Sequence, residues 1–408
     1  MKRIDRDSVA DIGFEMKWTS PEAVHTERYE AVNANFWRDI FPGNLCRELM
    51  GKSAGDRVQI SVEPGKGLPP YNPSRNFELS RDRFDTKFMP ETEIIPRSGR
   101  FYPKGILKDV YGVFPQNIEP FRCAAVQNGH LKADFNHPLS GYMLELTARV
   151  RNADGKAAER GGSCNDWLDV IASGPGMQAR WQKHPTDYFS DRPFEREDAS
   201  ADDHFYRQPR FVHHIDTAAI AAVREVYGSI IKDGMKVLDL MSSWTSHIPE
   251  NIKPEKLTGL GMNMAELEKN ERLTDRIVHD LNTKPELPFA SESYDAIICT
   301  VSVEYLIHPK AVFSEMARVL KPGGVAVMTF SNRWFPPKVI KIWKELSEFE
   351  RMGLVLEYFS GTGKFRHMET LSLRGLPRPR DDKYFPKMRY ADPVFAVWGT
   401  RDELRQTS

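Results

Sequence analysis

Between Asp216 and Phe330 short apolar runs alternate with amphipathic helical patterns, and this alternation restricts the possible folds more than any other feature of the chain. Asp216 or Thr217 can cap the helical run "AAIAAVREVYGSII". The strand-like "KVLDL" and "KLTGLGM" follow, then the helical "NMAELEKNERL", the strand-like "DAIICTV", the helical "AVFSEMARVL", the turn "KPGG" and the strand-like "VAVMTF". Strands separated by helices pair in parallel, with helices on both faces of the sheet. An α/β fold with a doubly wound sheet is therefore expected over about residues 206–402. Ligands of such sheets sit beyond the carboxyl ends of the strands, near the point where strand order reverses. The ends of "KVLDL", "LTGLGM", "RIVHDL" and "IICTV" are the expected site.

The first 150 residues follow a different grammar and are expected to be β-rich. In "RVQISV", Val58, Ile60 and Val62 fall on one face and Arg57, Gln59 and Ser61 on the other. Asn128-Gly129 separates two strand-like runs, and this pair accepts the positive φ angles of a type I′ hairpin turn. "YMLELTARV" closes the region as a further strand. Residues 151–205 contain the acidic stretch "DRPFEREDASADDHFYRQP" and are expected to be a linker, with one short helix in "GGSCNDWLDVIASGPG". With 408 residues, at least two domains are expected. Lys plus Arg equals Asp plus Glu at 57 each, so no overall field recruits nucleic acid or a membrane. Cys46, Cys123, Cys164 and Cys299 form no CxxC, which fits reduced thiols in a cytoplasmic protein better than disulfides or zinc. No run approaches the roughly 20 apolar residues of a membrane helix. The start "MKRIDRDSVADIGF" lacks the apolar core of a signal peptide.

Three runs in the C-terminal half are more specific: "HDLN" at 279–282, "LPFASESYDAII" at 287–298 and "EMARVLKPGGVAVMTF" at 315–330. Their succession resembles the class I S-adenosylmethionine (SAM)-dependent methyltransferases of the type 11 branch, over about residues 206–402. The resemblance implies a Rossmann-like methyltransferase sheet with SAM across the strand ends. Asp239, Ser242 and Ser243 would border the cofactor after the first strand, and Val301 after the fourth. Asp280 would accept from the adenine amino group, beside the main chain of Leu281. Leu287, Pro288 and Phe289 would shape an apolar wall, and Ser331, Asn332 and Arg333 the acceptor rim. Two departures stand out. The family's glycine-rich loop is replaced by Met241, Ser242, Ser243 and Trp244. Its ribose-holding acid falls at Gly261, with Asn263 as the expected substitute. Methyl transfer itself demands mainly alignment, because the sulfonium is already activated. Glu304 and His308 are the candidate catalytic bases for an amine or hydroxyl acceptor. The segment 361–390 carries eight basic residues against Glu369, Asp381 and Asp382, and is read as a solvated loop or a lid for an anionic partner.

Within residues 10–150, "DFNHPLSGYMLELTARV" and "LMGKSAGDRVQISVEPGKGLPPYNPSRNFELSRDRF" resemble FKBP-type prolyl isomerases of the SlyD-like branch. In that family an apolar aromatic cradle receives the X-Pro bond. Here Leu68 stands where the family places its carbonyl-donating tyrosine. A retained β fold that binds or packs is therefore expected in preference to an active isomerase. His204, His213 and His214 are not expected to bind a metal, since adjacent histidines point in different directions. The expected function is SAM-dependent methyl transfer to an unidentified acceptor, a small molecule or a protein, with the FKBP-like module recruiting it. No pattern specifies an oligomeric state. The rival readings are a non-catalytic methyltransferase-fold binding platform and a prolyl isomerase or chaperone.

Overall fold

Two patterns of strand pairing meet in one eleven-stranded sheet. The computed structural model describes residues 2–89, 93–156 and 161–403. The N-terminal part supplies strands β1 (Ser8–Thr19), β2 (Val24–Asn35), β3 (Arg57–Val62) and a long β8 (Leu144–Lys156), antiparallel in the order β2-β1-β8-β3. In β3 the alternation is realised as read, with Val58, Ile60 and Val62 buried. A short helix α1 (Leu45–Leu49) packs Leu45 and Leu49 into the same core. Between β3 and β8 the chain builds a separate four-stranded sheet from β4 (Asn76–Ser80), β5 (Phe101–Pro103), β6 (Pro120–Gln127) and β7 (His130–Asp134). Its β6–β7 turn is Asn128-Gly129, at φ 50° and 78° as a type I′ turn requires.

The C-terminal part contributes β9 (Lys236–Leu240), β10 (Lys256–Gly261), β11 (Asp275–Val278), β12 (Tyr294–Thr300), β13 (Leu320–Phe330), β14 (Phe365–Arg374) and β15 (Val394–Arg401). The order is β11-β10-β9-β12-β13-β15-β14, with the first five parallel, so the order reverses between β9 and β12. "KPGG" lies inside β13, yet pairing with β12 jumps from Leu320 to Val325, so the glycines form the bend read from sequence. Helix α4 (Thr217–Ile230) begins at Asp216, whose carboxylate accepts from the Ala219 N–H.

The two halves are joined by parallel pairing of β14 with β2, Glu369–Arg374 against Val24–Tyr29. The junction buries polar groups that satisfy one another. His25 bonds Thr370 Oγ1 at 2.8 Å and Ser20 Oγ at 3.0 Å, and stacks on Trp18. The buried Glu27 carboxylate accepts from Trp18 Nε1, Gln178 Nε2 and the Ser372 hydroxyl.

The expected linker is not one. Its residues 157–160 lie outside the described residues, but the remainder is built into both halves. Helix α2 (Trp167–Ala172) covers the apolar face of the N-terminal sheet with Trp167, Leu168 and Ile171, beside Leu68. Tyr188 is 1% exposed and Gln178 reaches Glu27. Helix α3 (Asp202–Phe205) presents Asp202, whose carboxylate receives Arg196 at 2.8 Å and Lys338 at 3.2 Å. An acidic composition looked solvated because one matching cation, Lys338, is remote in sequence. Helices α5 (Met264–Lys269), α6 (Pro309–Val319), α7 (Lys341–Glu345) and α8 (Glu348–Ser360) complete the layers. Helix α8 opens with a Ser347/Glu350 capping box, and Glu350 also takes Arg100 Nε at 2.8 Å across the junction. Nor is the basic segment 361–390 a free loop throughout: β14 is paired on both sides, and buried Arg378 bonds Asp392 and Asp382. Because sheet and ion pairs cross the junction, thermal unfolding followed by tryptophan fluorescence and by circular dichroism should give one coincident transition. Two separated transitions would show that the halves fold independently. No helix among the described residues is long and apolar enough to cross a membrane.

Candidate functional site

A cleft opens where theory places it, over the carboxyl ends of β9, β10, β11 and β12. It holds about 1190 Å³ of empty space, its open mouth included. All seven residues expected to border a cofactor line it: Asp239, Ser242, Ser243, Asn263, Asp280, Leu281 and Val301.

The turn after β9 works without glycine. Met241 occupies the left-handed region at φ 55°, where glycine would be favoured. Ser242 N–H then donates to the Leu260 carbonyl at 2.8 Å, pulling the turn onto β10. Asp239 is 2% exposed, and the Ser242 and Ser246 hydroxyls donate to its Oδ2 at 2.7 and 2.6 Å. Burial nevertheless pushes its carboxyl up to about 6. The Ser243 hydroxyl donates to Glu266 at 2.6 Å. Both serine hydroxyls thus serve the protein as donors, rather than standing free for a ligand. No helix follows β9. The loop's carbonyls at Ile248, Pro249 and Ile252 are satisfied instead by the Arg272 guanidinium at 2.7–3.0 Å.

This path explains the neutral residue at 261. A Cβ there would stand 2.1 Å from the Ser242 carbonyl oxygen. Any side chain, acidic or not, is excluded by the backbone of the serine turn.

Asn263, the expected substitute for the acid, lines the cleft but is engaged within the protein. It is the N-cap of α5, accepting from Glu266 N–H, and its amide donates to the Tyr206 and Arg207 carbonyls at 2.9 and 3.0 Å. Asp280 keeps its place on the wall while capping its own turn, accepting from Asn282 N–H at 2.9 Å and Thr283 Oγ1 at 2.6 Å. Its carboxylate retains further lone pairs for a ligand. Val301 sits at φ 43°, strained for a β-branched residue and held by its N–H to the Thr329 carbonyl at 2.7 Å. Trp244 packs against a tilted His213 ring, centroids 4.5 Å apart.

The two expected catalytic residues are elsewhere. Glu304 lies in a 3-10 turn at 303–305 that directs it into the core while Ser302 and Tyr305 face the cleft. It is 0% exposed, and neither carboxyl oxygen has a hydrogen-bond partner among the described residues. Burial raises it to about 8, so it is mostly protonated at neutral pH. His308 is exposed at the N-cap of α6 and does not line the cleft.

Sequence reading missed the roof. Asp202, at the end of the expected linker, and Tyr206, Arg210, His213 and His214, between it and the α4 cap, line the cleft. Phe205-Tyr206 and the two adjacent histidines were the available signal. Asn282 fastens the roof to the end of β11, donating to Asp202 at 2.8 Å and to the Tyr305 carbonyl at 2.9 Å. Burial holds His213, His214 and His247 below the ordinary histidine range, His247 at about 4. This burial favours their neutral forms.

Strand order and cleft position define the C-terminal half as a Rossmann-like domain with its site at the topological switch point. Residues 245–328, from the loop after β9 into β13, match the family model described as "Methyltransferase domain". Demethylmenaquinone methyltransferase of Paenarthrobacter aurescens is 29% identical over 118 residues, covering 28% of this chain and 45% of that protein. The ubiquinone/menaquinone biosynthesis C-methyltransferase UbiE of Chromobacterium violaceum is 29% identical over 129 residues, covering 29% and 49%. The chain spans about half the length of these curated relatives. A solved SAM-dependent methyltransferase from Aquifex aeolicus overlays at TM-score 0.30 with 17% identity, covering 49% of this chain and 97% of that one. Residues 245–328 thus carry a methyltransferase-family signature within a Rossmann-like domain.

Proposed function

We propose that the cleft binds SAM and that the protein transfers its methyl group to an acceptor admitted beneath the roof. The observation that carries this reading is the convergence of all seven expected binding residues on one cleft at the switch point. The residues present fit such a group. Carboxylates at Glu266 and Asp280 give the wall a negative field suited to a sulfonium cation, and Leu281, Met241 and Val301 supply apolar surface for a base and thioether. SAM when bound supplies an activated methyl; the chain's own residues bind, orient and exclude water. Tyr206 and Phe335 close the cleft from above. The relatives named for quinone methylation direct attention to apolar, ring-bearing acceptors, which these aromatic walls suit.

In the same reading the N-terminal sheet recruits the acceptor, but not through a proline cradle. Trp167, Leu168 and Ile171 occupy the apolar face beside Leu68. A non-catalytic methyltransferase-fold binding platform is favoured by one observation, the engagement of Asn263 and of both serine donors within the protein.

Titration of SAM and of its demethylated product tests the proposal. Wild type should bind with a dissociation constant in the high-micromolar range, since a ribose-directed charged hydrogen bond worth about 1.5–3 kcal/mol is missing. Asp280→Ala should weaken binding roughly tenfold or more. No heat at millimolar ligand would reject the reading, and equal affinity in the variant would reject the placement.

A further inference from the structure

Arg210 stands apart from the other charged groups of the cleft. Asp202 is paired with Arg196 and Lys338, while Asp239, Glu266 and Asp280 each accept hydrogen bonds within the protein. Arg210 is the cleft's guanidinium. Its backbone N–H donates to Glu266 Oε1 at 2.7 Å, and Nη2 donates to the Phe205 carbonyl at 2.9 Å. Its Nε and Nη1 have no hydrogen-bond partner, and the side chain joins no ion pair, among the described residues. The plane is nonetheless fixed in position: its carbon lies 4.4 Å from the centre of Phe205 and 5.3 Å from that of Phe335. Phe335 is itself braced by Tyr305, at 5.9 Å, and by His214, at 4.9 Å. A guanidinium packed against two aromatic rings at the wall of a cleft, with two of its nitrogens unbonded among the described residues, is organised for a planar anion. Such a fork binds a carboxylate in bidentate fashion, and its weak hydration makes removal from water inexpensive.

We propose that Arg210 is the anion anchor of the cleft and receives a carboxylate group of a bound ligand. Two sources share this chemistry: the amino-acid end of the cofactor and an acidic acceptor. The assignment rests on the proposed cofactor reading only for the first source. Burial holds the nearby His213, His214 and His247 below the ordinary histidine range, which disfavours their cationic forms as alternatives to the guanidinium.

Calorimetric titrations with S-adenosylhomocysteine, 5′-methylthioadenosine and benzoate separate the sources, using wild type, Arg210→Gln and Arg210→Lys. Methylthioadenosine retains the nucleoside and lacks the carboxylate. If the cofactor supplies the anion, Arg210→Gln should weaken S-adenosylhomocysteine by at least roughly tenfold and leave methylthioadenosine unchanged. Arg210→Lys should recover part of the loss, since it keeps charge without the fork. If the acceptor supplies it, both nucleosides should bind Arg210→Gln normally. Benzoate should then bind nucleoside-loaded wild type but not the variant. If neither nucleoside binds wild type, the cofactor reading fails, yet benzoate binding that requires Arg210 would still support the anchor. Unchanged binding of all three probes in a variant with wild-type melting overturns the proposal, as does failure of wild type to discriminate any carboxylate.

Discussion

Substituting aspartate for Gly261 is expected to destabilise the protein and to bring no gain in cofactor affinity, although it restores the acid that related domains place there. The added Cβ would meet the Ser242 carbonyl oxygen at 2.1 Å and Leu267 Cδ2 at 3.3 Å. Side-chain rotation cannot relieve a clash between Cβ and backbone. The serine turn cannot easily retreat either. Ser242 N–H is bonded to Leu260, its hydroxyl to buried Asp239, and the Ser243 carbonyl to Asn270 Nδ2. Overpacking against a fixed backbone should cost about 3 kcal/mol, which is a fall of roughly 3–4 °C in Tm for a protein of this size. Gly261→Ala isolates the steric part and should show most of the loss. The measurement is thermal melting with S-adenosylhomocysteine titration on whatever folds. A stable Gly261→Asp that binds more tightly than wild type would mean that the serine turn moves freely, and that the neutral residue is incidental.

This coupling between positions 242 and 261 is invisible in the sequence, where the two read as independent departures. What could be read was local: the alternation in β3, the Asn128-Gly129 turn, the Asp216 cap and the strand–helix order from β9 to β13. Each depends on residues a few places apart. The positions of Asp280, Leu281 and Val301 could also be read, because strand ends in a doubly wound sheet converge by topology. The sheet's continuity through β14 and β2 could not, since Glu369 and Val24 are partners across most of the chain. The segment before α4 was misread for a related reason. Its charges are satisfied by Lys338 and Asn282, and its aromatic residues by Phe335. Composition alone cannot distinguish a solvated acid from one whose cation arrives from a distant part of the chain. Glu304 failed at finer scale. It follows the right strand, but the 3-10 turn faces its neighbours to the cleft and turns Glu304 away.

Glu304 should therefore govern the stability of the fold at alkaline pH rather than methyl transfer. Its carboxyl is raised from the ordinary 4.5 to about 8 by burial, with no hydrogen bond to the charged form among the described residues. The sign follows from proton counting. Below pH 4.5 both folded and unfolded chains hold the proton, and the contribution is fully present. Between 4.5 and 8 the unfolded chain releases a proton that the folded chain keeps, so stability falls as pH rises. Above 8 the loss is complete, at roughly 4–5 kcal/mol in all. Other buried groups titrate lower. His25, at about 3, and His247, at about 4, withdraw stability as pH falls below 6.5, and Asp239, at about 6, finishes its decline near that point. Glu27 is raised in the same direction as Glu304, so the comparison must be made with a variant. Glu304→Gln is neutral throughout. Between pH 6.5 and 8 its unfolding free energy should decline less steeply than that of wild type, by about 1 kcal/mol per pH unit. Chemical denaturation at several pH values measures this directly. S-adenosylhomocysteine affinity at pH 7 should be the same for both proteins, since Glu304 does not line the cleft. Identical slopes would show that the carboxylate is charged and paired in the folded state. A well-folded Glu304→Gln with intact binding but a hundredfold loss of transfer would place this acid in the reaction after all.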